Sequence, residues 1–233
     1  MHKQIIQKGL KSLRYDDAEF IIVISNIYNA FPHWNHNACI LATGELFSQL
    51  RNTLLPHQTL LFPAFSYSFA TSGVFDILLT RPETGALPKM AFRTREFART
   101  SSPMTSYFVW PSTSNMSLRK ETTTFGEESV FGSIKDRKSK VLCFGQIDAS
   151  EQGWIAVHHA EELEKVPYRY FKEFSGTLCR DNVEITACSQ KHYCRNHEIG
   201  VVNDYRLLNH HLEENGMIAR GEQDEFVCSA CWS

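Results

Sequence analysis

The chain carries none of the compact signatures that settle a function at a glance. It has no Gly-x-Gly-x-x-Gly and no Walker-type loop, so dinucleotide and nucleoside triphosphate binding lack their usual backbone cradle for phosphate. It has no Gly-x-Ser-x-Gly elbow, which argues against a Ser-His-Asp hydrolase. No apolar run approaches the ~20 residues needed to span a bilayer, so no membrane segment is expected. Lysine and arginine total 24 against 26 aspartates and glutamates. A protein that tracks nucleic-acid phosphates shows a basic excess or stripe, and none is present.

Cysteine follows no pattern. Cys39, Cys143, Cys179, Cys188, Cys194, Cys228 and Cys231 are odd in number and irregularly spaced, unlike a disulfide framework. The basic N-terminal stretch MHKQIIQKGLKSLRYDD has no uninterrupted apolar core before Asp16, so it does not read as a secretory leader. Reduced thiols and a cytoplasmic location are the resulting expectation. Cys188, His192, Cys194, His197, Cys228 and Cys231 offer zinc-type donors, but their spacing matches no finger pattern. Free thiols are the preferred reading and no metal is expected.

What is present is ordinary for a globular protein: 233 residues, 42% apolar and 21% charged, with no repeat, low-complexity tract or linker. One domain over 1–233 is expected. Phe20 to Ile24 forms a β-branched run that reads as a buried strand. Ile40, Leu41, Leu46, Phe47 and Leu50 then recur at helical offsets, with Asn37 as a candidate cap. QTLLFPAF is a second buried strand, ended by Pro63. Strand, helix, strand in that order points to α/β layering. Pro82 and Thr84 signal a helix start, with Arg93 and Arg95 towards its end. TSYFVWP and KVLCFGQ are further strands, and the polar stretch SNMSLRKETTTFGEESVFGSI between them reads as a surface loop turning at Gly126. A helix is expected over 148–166, capped by Asp148 or Ser150. YRYFKEFSG and VEITACS alternate like strands. NDYRLLNHHLEENG suits a helix that starts at Asn203 or Asp204 and stops at Gly216, and EFVCSACWS suits a last strand.

Within the helix expected over 148–166, VHHAEELEKV places His158 beside Glu161 and His159 beside Glu162, because residues three apart share a face. A carboxylate next to an imidazole raises its basicity and orients its ring, as a general base requires. A solvated helix face carrying favourable His–Glu pairs explains the same spacing. His210 and His211, beside Glu213 and Glu214, fit that plainer reading. Phe65, Tyr67 and Phe69 alternate in a way that suits either an acceptor pocket or a packed core.

Taken in order, four blocks resemble the aminoglycoside 3-N-acetyltransferase family: TLLFPAFSYSF, ETGALPKMAFRTREFARTSSPMTS, FGEESVFGSI, and KVLCFG followed by VHHAEELEKVPYRYFKEFSG. The resemblance is strongest over 18–177, with 178–233 expected as a C-terminal extension packed on it. It implies a central mixed β-sheet with helices on both faces and acetyl transfer from acetyl-CoA to an amino group. His158, as base or amine-orienting group, and Glu161, as its partner, fall on the family's helix His and Glu. Ser25, Thr84, Gly85, Arg93, Arg99 and Ser129 fall where the family approaches coenzyme A. Arg93, Arg95 and Arg99 are spaced so that two or three can reach a phosphate. Tyr67, Ser106, His159 and Glu162 are expected around the acceptor.

Two departures refine this expectation. The family's His-Pro-x-His-Ser element is here Ser102 to Ser106, SPMTS, with Ser102 and Thr105 in place of histidines. A threonine hydroxyl cannot take up a proton near neutral pH, so Thr105 and Ser106 are expected as hydroxyl donors rather than bases. The first strand ends VISN, without the family's usual histidine before Ser25. The SPMTS departure favours a nucleotide-linked or polysaccharide-precursor amino sugar over an aminoglycoside drug. The alternative is a catalytically impaired relative that binds acyl-CoA or a protein partner without turnover. A homodimer stays open.

Overall fold

The computed structural model describes residues 2–13, 15–31, 33–111, 113–118, 121–145, 155–221 and 226–230. In chain order the elements are α1 (His2–Ser12), β1 (Phe20–Ser25), α2 (Ile27–Ala30), α3 (His36–Thr53), β2 (Thr59–Pro63), α4 (Phe69–Ser72), β3 (Val74–Asp76), α5 (Ala86–Thr94), β4 (Ala98–Arg99), β5 (Tyr107–Trp110), α6 (Val130–Ile134), β6 (Ser139–Phe144), α7 (Val157–Leu163), β7 (Arg169–Arg180), β8 (Val183–Arg195), α8 (Arg206–Glu214), β9 (Ile218–Arg220) and β10 (Phe226–Ala230).

Seven strands form a mixed central sheet in the order β4-β5-β2-β1-β6-β10-β9. Its middle trio, β2-β1-β6, is parallel, and the strands flanking that trio run antiparallel to it. Alternation along β1 sends Ile21 and Val23 into one core and Phe20 and Ile22 into another, as the two-residue period of a strand demands. The first core is closed by α1, α3 and α5 through Ile6, Leu10, Leu46 and Leu87. The second is closed by α6 and α8 through Phe131, Ile134 and Leu208. Both sheet faces are therefore covered, which explains why the central strands read as continuous apolar runs.

Several expectations need correcting. Asn35, not Asn37, caps α3: its backbone is extended and its side chain accepts from Ala38 N at 2.9 Å, the geometry a cap requires. The N-terminal stretch, given no element above, is α1, because Ile6, Leu10 and Leu13 all turn inward. The polar stretch expected on the surface is largely interior. Glu121, Thr124, Phe125, Ser129, Val130 and Phe131 are all buried, and Gly126 packs so closely on Glu162 that an added Cβ would lie 2.3 Å from a carboxylate oxygen. Two of its buried hydroxyls find partners within the fold, Thr124 on Lys191 O and Ser129 on Gly126 O. The helix expected over 148–166 is described only as α7, and the candidate caps Asp148 and Ser150 lie outside the described residues.

The two strands that directly follow α7 do not join the central sheet. β7 and β8 make a long antiparallel hairpin whose second neighbour is β3, with Phe69, Phe75, Ile77 and Met104 as its own small core. The boundary at 177/178 falls inside β7, and β10 pairs with β6 in the central sheet, so the C-terminal segment is woven into both sheets.

Candidate active site

A cavity of about 540 Å³ opens at the carboxyl ends of the parallel strands, where α/β sheets place their ligands. Ser25 ends β1 there and Pro63 ends β2. Thr84 and Gly85 bring in the start of α5. Tyr67 and Thr105 come from neighbouring loops, and His158, Arg169 and His192 come from α7, β7 and β8. The loop before α5 and the His-Glu helix therefore share one hollow.

Behind His158 lies a dense charge network centred on Glu161. Its Oε2 is 2.7 Å from Nδ1 of His158 and 2.9 Å from Nη2 of Arg169. Its Oε1 accepts from Tyr168 Oη at 2.9 Å and from Asn203 Nδ2 at 3.3 Å. Burial pushes the Glu161 pKa up, but the bond from His158, the Arg169 charge and the Tyr168 hydroxyl outweigh it and bring it down to about 2. An ionised carboxylate only accepts, so the proton between Glu161 and His158 resides on Nδ1. Nε2 of a neutral His158 then keeps its lone pair for the cavity. This is the arrangement of an oriented base.

Thr105 is tied into a buried polar knot. Its Oγ1 is 2.9 Å from Ser102 Oγ and accepts from Gln190 Nε2 at 3.2 Å. The same Gln190 amide donates to Ser102 Oγ, and its Oε1 accepts from Met104 N at 2.9 Å. With both amide protons used, Ser102 can donate to Thr105, which leaves the Thr105 proton for the cavity.

The other expected residues sit elsewhere. Ser106 donates to Ala64 O and accepts from Arg99 Nε. Arg99 is itself buried, donating also to Ala64 O and Thr80 O and lying over the rings of Phe75 and Phe108. Burial lowers its pKa to about 10 against the pull of Asp76, and it lines a separate hollow with Arg95 and Arg180. Arg93 is exposed on the far end of α5. Ser129 caps α6, accepting from Gly132 N. His159 is buried, bonded through Nδ1 to Phe125 O and stacked on Phe131. Glu162 accepts from Phe125 N at 3.2 Å, with its pKa raised by burial despite that bond. None of these six side chains lines the cavity.

Residues 42–231 match the sequence model of the family described as aminoglycoside 3-N-acetyltransferase. The chain belongs to that family. As an aminoglycoside 3-N-acetyltransferase family member it is an acyltransferase directed at amines, and the match runs well into the C-terminal segment. Solved family-like folds agree in architecture. The YokD protein from Bacillus subtilis superposes with a TM-score of 0.70 at 16% identity, covering 98% of this chain and 94% of that one. AAC-IIIb, solved as a binary complex with CoASH, gives 0.76 at 17%, covering 98% and 91%. AAC-VIa bound to sisomicin in a neutron/X-ray structure gives 0.72 at 14%, covering 98% and 92%. At such identities the likeness is one of fold. No curated protein sequence matches the chain.

Within this family frame, three of the cavity's aromatic and basic residues were not expected there. Arg169 lay in a segment read as a strand, His192 was weighed as a zinc donor, and Phe125 fell in the supposed surface loop. Only tertiary pairing of β7 with β8 brings Arg169 and His192 towards α7. Among the described residues no group of three or more His, Cys, Asp or Glu is placed to hold a metal ion, and no helix is long and apolar enough to cross a membrane.

Proposed function

We propose that this chain transfers an acetyl group from acetyl-coenzyme A to the primary amine of an amino sugar, nucleotide-linked or a polysaccharide precursor. The observation that carries the reading is the single hollow joining the α5 N-terminus to the His158–Glu161 pair. Gly85 caps α5 without a side-chain bond, so the N–H groups of Ala86 and Leu87 remain available to an anion, Pro88 having none to offer. That end of the cavity suits the phosphates of coenzyme A, and support comes from AAC-IIIb, a fold relative solved with CoASH.

The thioester supplies an activated acetyl group; the chain supplies the rest. The amine reacts as the neutral base, any ammonium proton having gone to solvent, and Nε2 of His158 takes one N–H proton as the N–C bond forms while Glu161 and Arg169 hold the ring. General-base help of this kind is worth roughly 10²–10⁴-fold. An N–C bond forms and the C–S bond breaks. The proton held by His158 passes to the departing sulfur, giving an amide and a free thiol. The Thr105 hydroxyl serves as donor to charge developing on the acyl oxygen. The preference for a sugar precursor over a drug rests on the hydroxyl-bearing Ser102–Ser106 segment.

Incubation with acetyl-coenzyme A and a panel of amino sugars, followed by free-thiol release, tests the proposal. Release above that of a His158→Ala control is expected. Release no greater than the control, with calorimetry still showing coenzyme A binding, would leave the non-catalytic alternative. Failure to bind coenzyme A would remove both.

A further inference from the structure

A buried-side imidazole in this cavity has no part in the scheme above. His192, on β8, lines the same hollow as His158 and Thr105. Both imidazoles lie against Phe125, whose ring centroid is 5.0 Å from that of His158 and 6.4 Å from that of His192. Nδ1 of His192 lies 2.8 Å from Thr124 Oγ1. That hydroxyl also reaches Lys191 O at 3.1 Å, a carbonyl that can only accept. With its hydroxyl proton given to Lys191 O, Thr124 accepts from Nδ1–H. In that tautomer Nε2 carries a lone pair.

We infer that His192 is an acceptor-binding residue whose Nε2 takes a hydrogen bond from the substrate's primary amine. A neutral primary amine has two N–H bonds and one lone pair. Once His158 and His192 each accept one N–H, the lone pair has a single direction left, towards the acyl carbon. Orientation of this kind contributes to rate without any further proton transfer. The arrangement needs His192 neutral, since an imidazolium would donate and would repel an ammonium. Burial, with the charges of Arg169 on β7 and His158 on α7 adding to it, draws its pKa from the ordinary 6.5 down to about 4. This inference rests on the amine-acetylation reading of the cavity and assigns the site a preference for primary over secondary amines.

Substitution and substrate together test it. His192→Asn keeps a donor for Thr124 and removes the Nε2 acceptor, whereas His192→Gln restores an acceptor near the Nε2 position. Wild-type protein is expected to prefer glucosamine over its N-methyl analogue. His192→Asn is expected to lower kcat/KM for glucosamine about tenfold, the weight of one neutral hydrogen bond, to leave KM for acetyl-CoA unchanged, and to narrow the primary-to-secondary ratio. His192→Gln is expected to recover part of the loss. An unchanged ratio in an active His192→Asn protein overturns the inference while the acetylation reading stands. Long-range ¹⁵N correlation of histidine-labelled protein gives a readout free of turnover. It should show the neutral Nδ1–H tautomer throughout the range, about pH 5 to 8, in which an ordinary histidine titrates, with an Nε2 shift on adding glucosamine. An Nε2–H tautomer, an ordinary titration or no shift would overturn the inference even if the panel gave no activity.

Discussion

Nδ1 of His158 lies 2.7 Å from Oε2 of Glu161, three residues on in the same helix. That contact engages Nδ1 and leaves Nε2 as the ring nitrogen free of the carboxylate. It also makes a carboxylate with only 5% of its side chain exposed the centre of the site, because Arg169, Tyr168 and Asn203 converge on it too.

The first prediction concerns coupling between the two. His158→Ala should lower kcat for amine acetylation by about 10²-fold or more, the range for a general base. Glu161→Gln should cost less, since the imidazole remains. The double variant should fall no further than His158→Ala alone, because residues acting as a unit are not additive. Thiol-release kinetics on the three proteins check this; losses that multiply would mean the two side chains act separately.

Acid sensitivity follows from the same carboxylate. Its pKa in the folded protein, about 2, lies below the ordinary 4.5. Its stabilising contribution is therefore complete above the ordinary carboxylate range and is lost as pH falls towards 2. At about 1.4 kcal/mol per pKa unit the contribution is on the order of 3 kcal/mol. Urea midpoints should decline with acidification more steeply for wild-type protein than for Glu161→Gln. Parallel slopes would contradict the assignment.

Glu162, the next residue, should behave in the opposite sense. Burial raises its pKa, so ionisation opposes folding as pH rises through and above the ordinary carboxylate value. Glu162→Gln keeps an oxygen for Phe125 N and removes the charge. It should leave thermal stability at neutral pH equal or higher, whereas Glu161→Gln lowers it. Thermal melts of the pair at one pH decide the matter.

The opening of α5 depends on a backbone that only glycine adopts easily. Gly85 has φ of +72°, and an added Cβ would stand 3.0 Å from the Pro88 ring. Gly85→Ala combines left-handed strain, about 1 kcal/mol or more, with a shift of the helix N-terminus. Calorimetry should show weakened coenzyme A binding with KM for the amine little changed. Unaltered coenzyme A affinity would remove α5 from the cofactor site.

The Gln190 knot should be structural and catalytic together. Gln190→Leu strands Met104 N, Ser102 and Thr105 in a buried place, and each orphaned polar group costs about 1–3 kcal/mol. A fall in Tm of several degrees is expected, accompanied by lower kcat as Thr105 loses its fixed orientation. A melt shift without any kinetic change would confine Thr105 to packing.

Much of this molecule was legible without coordinates. Phe20–Ile24, Thr59–Pro63 and Tyr107–Trp110 read as strands because doubly covered strands are apolar on both faces. The i, i+3 spacing of His158 and Glu161 specified their contact, since helix geometry alone sets it. The buried fate of Thr124 and Ser129 was not legible, because their polarity is satisfied by partners at Lys191 and Gly126 that composition does not reveal. Arg93 and Arg99 show the converse. Their spacing suits a phosphate, yet Arg99 is buried by Phe75, Phe108 and three oxygen partners from distant segments.

The amino-acid sequence by itself determined the α/β layering, the family and the His158–Glu161 pair, all of which depend on local periodicity or ordered local blocks. Tertiary structure alone decided which side chains share the cavity. The β7–β8 hairpin carries Arg169 and His192 towards α7, and the parallel trio brings Ser25 and Pro63 to one edge. Such meetings depend on strand pairing between residues far apart in the chain, and no local pattern encodes them.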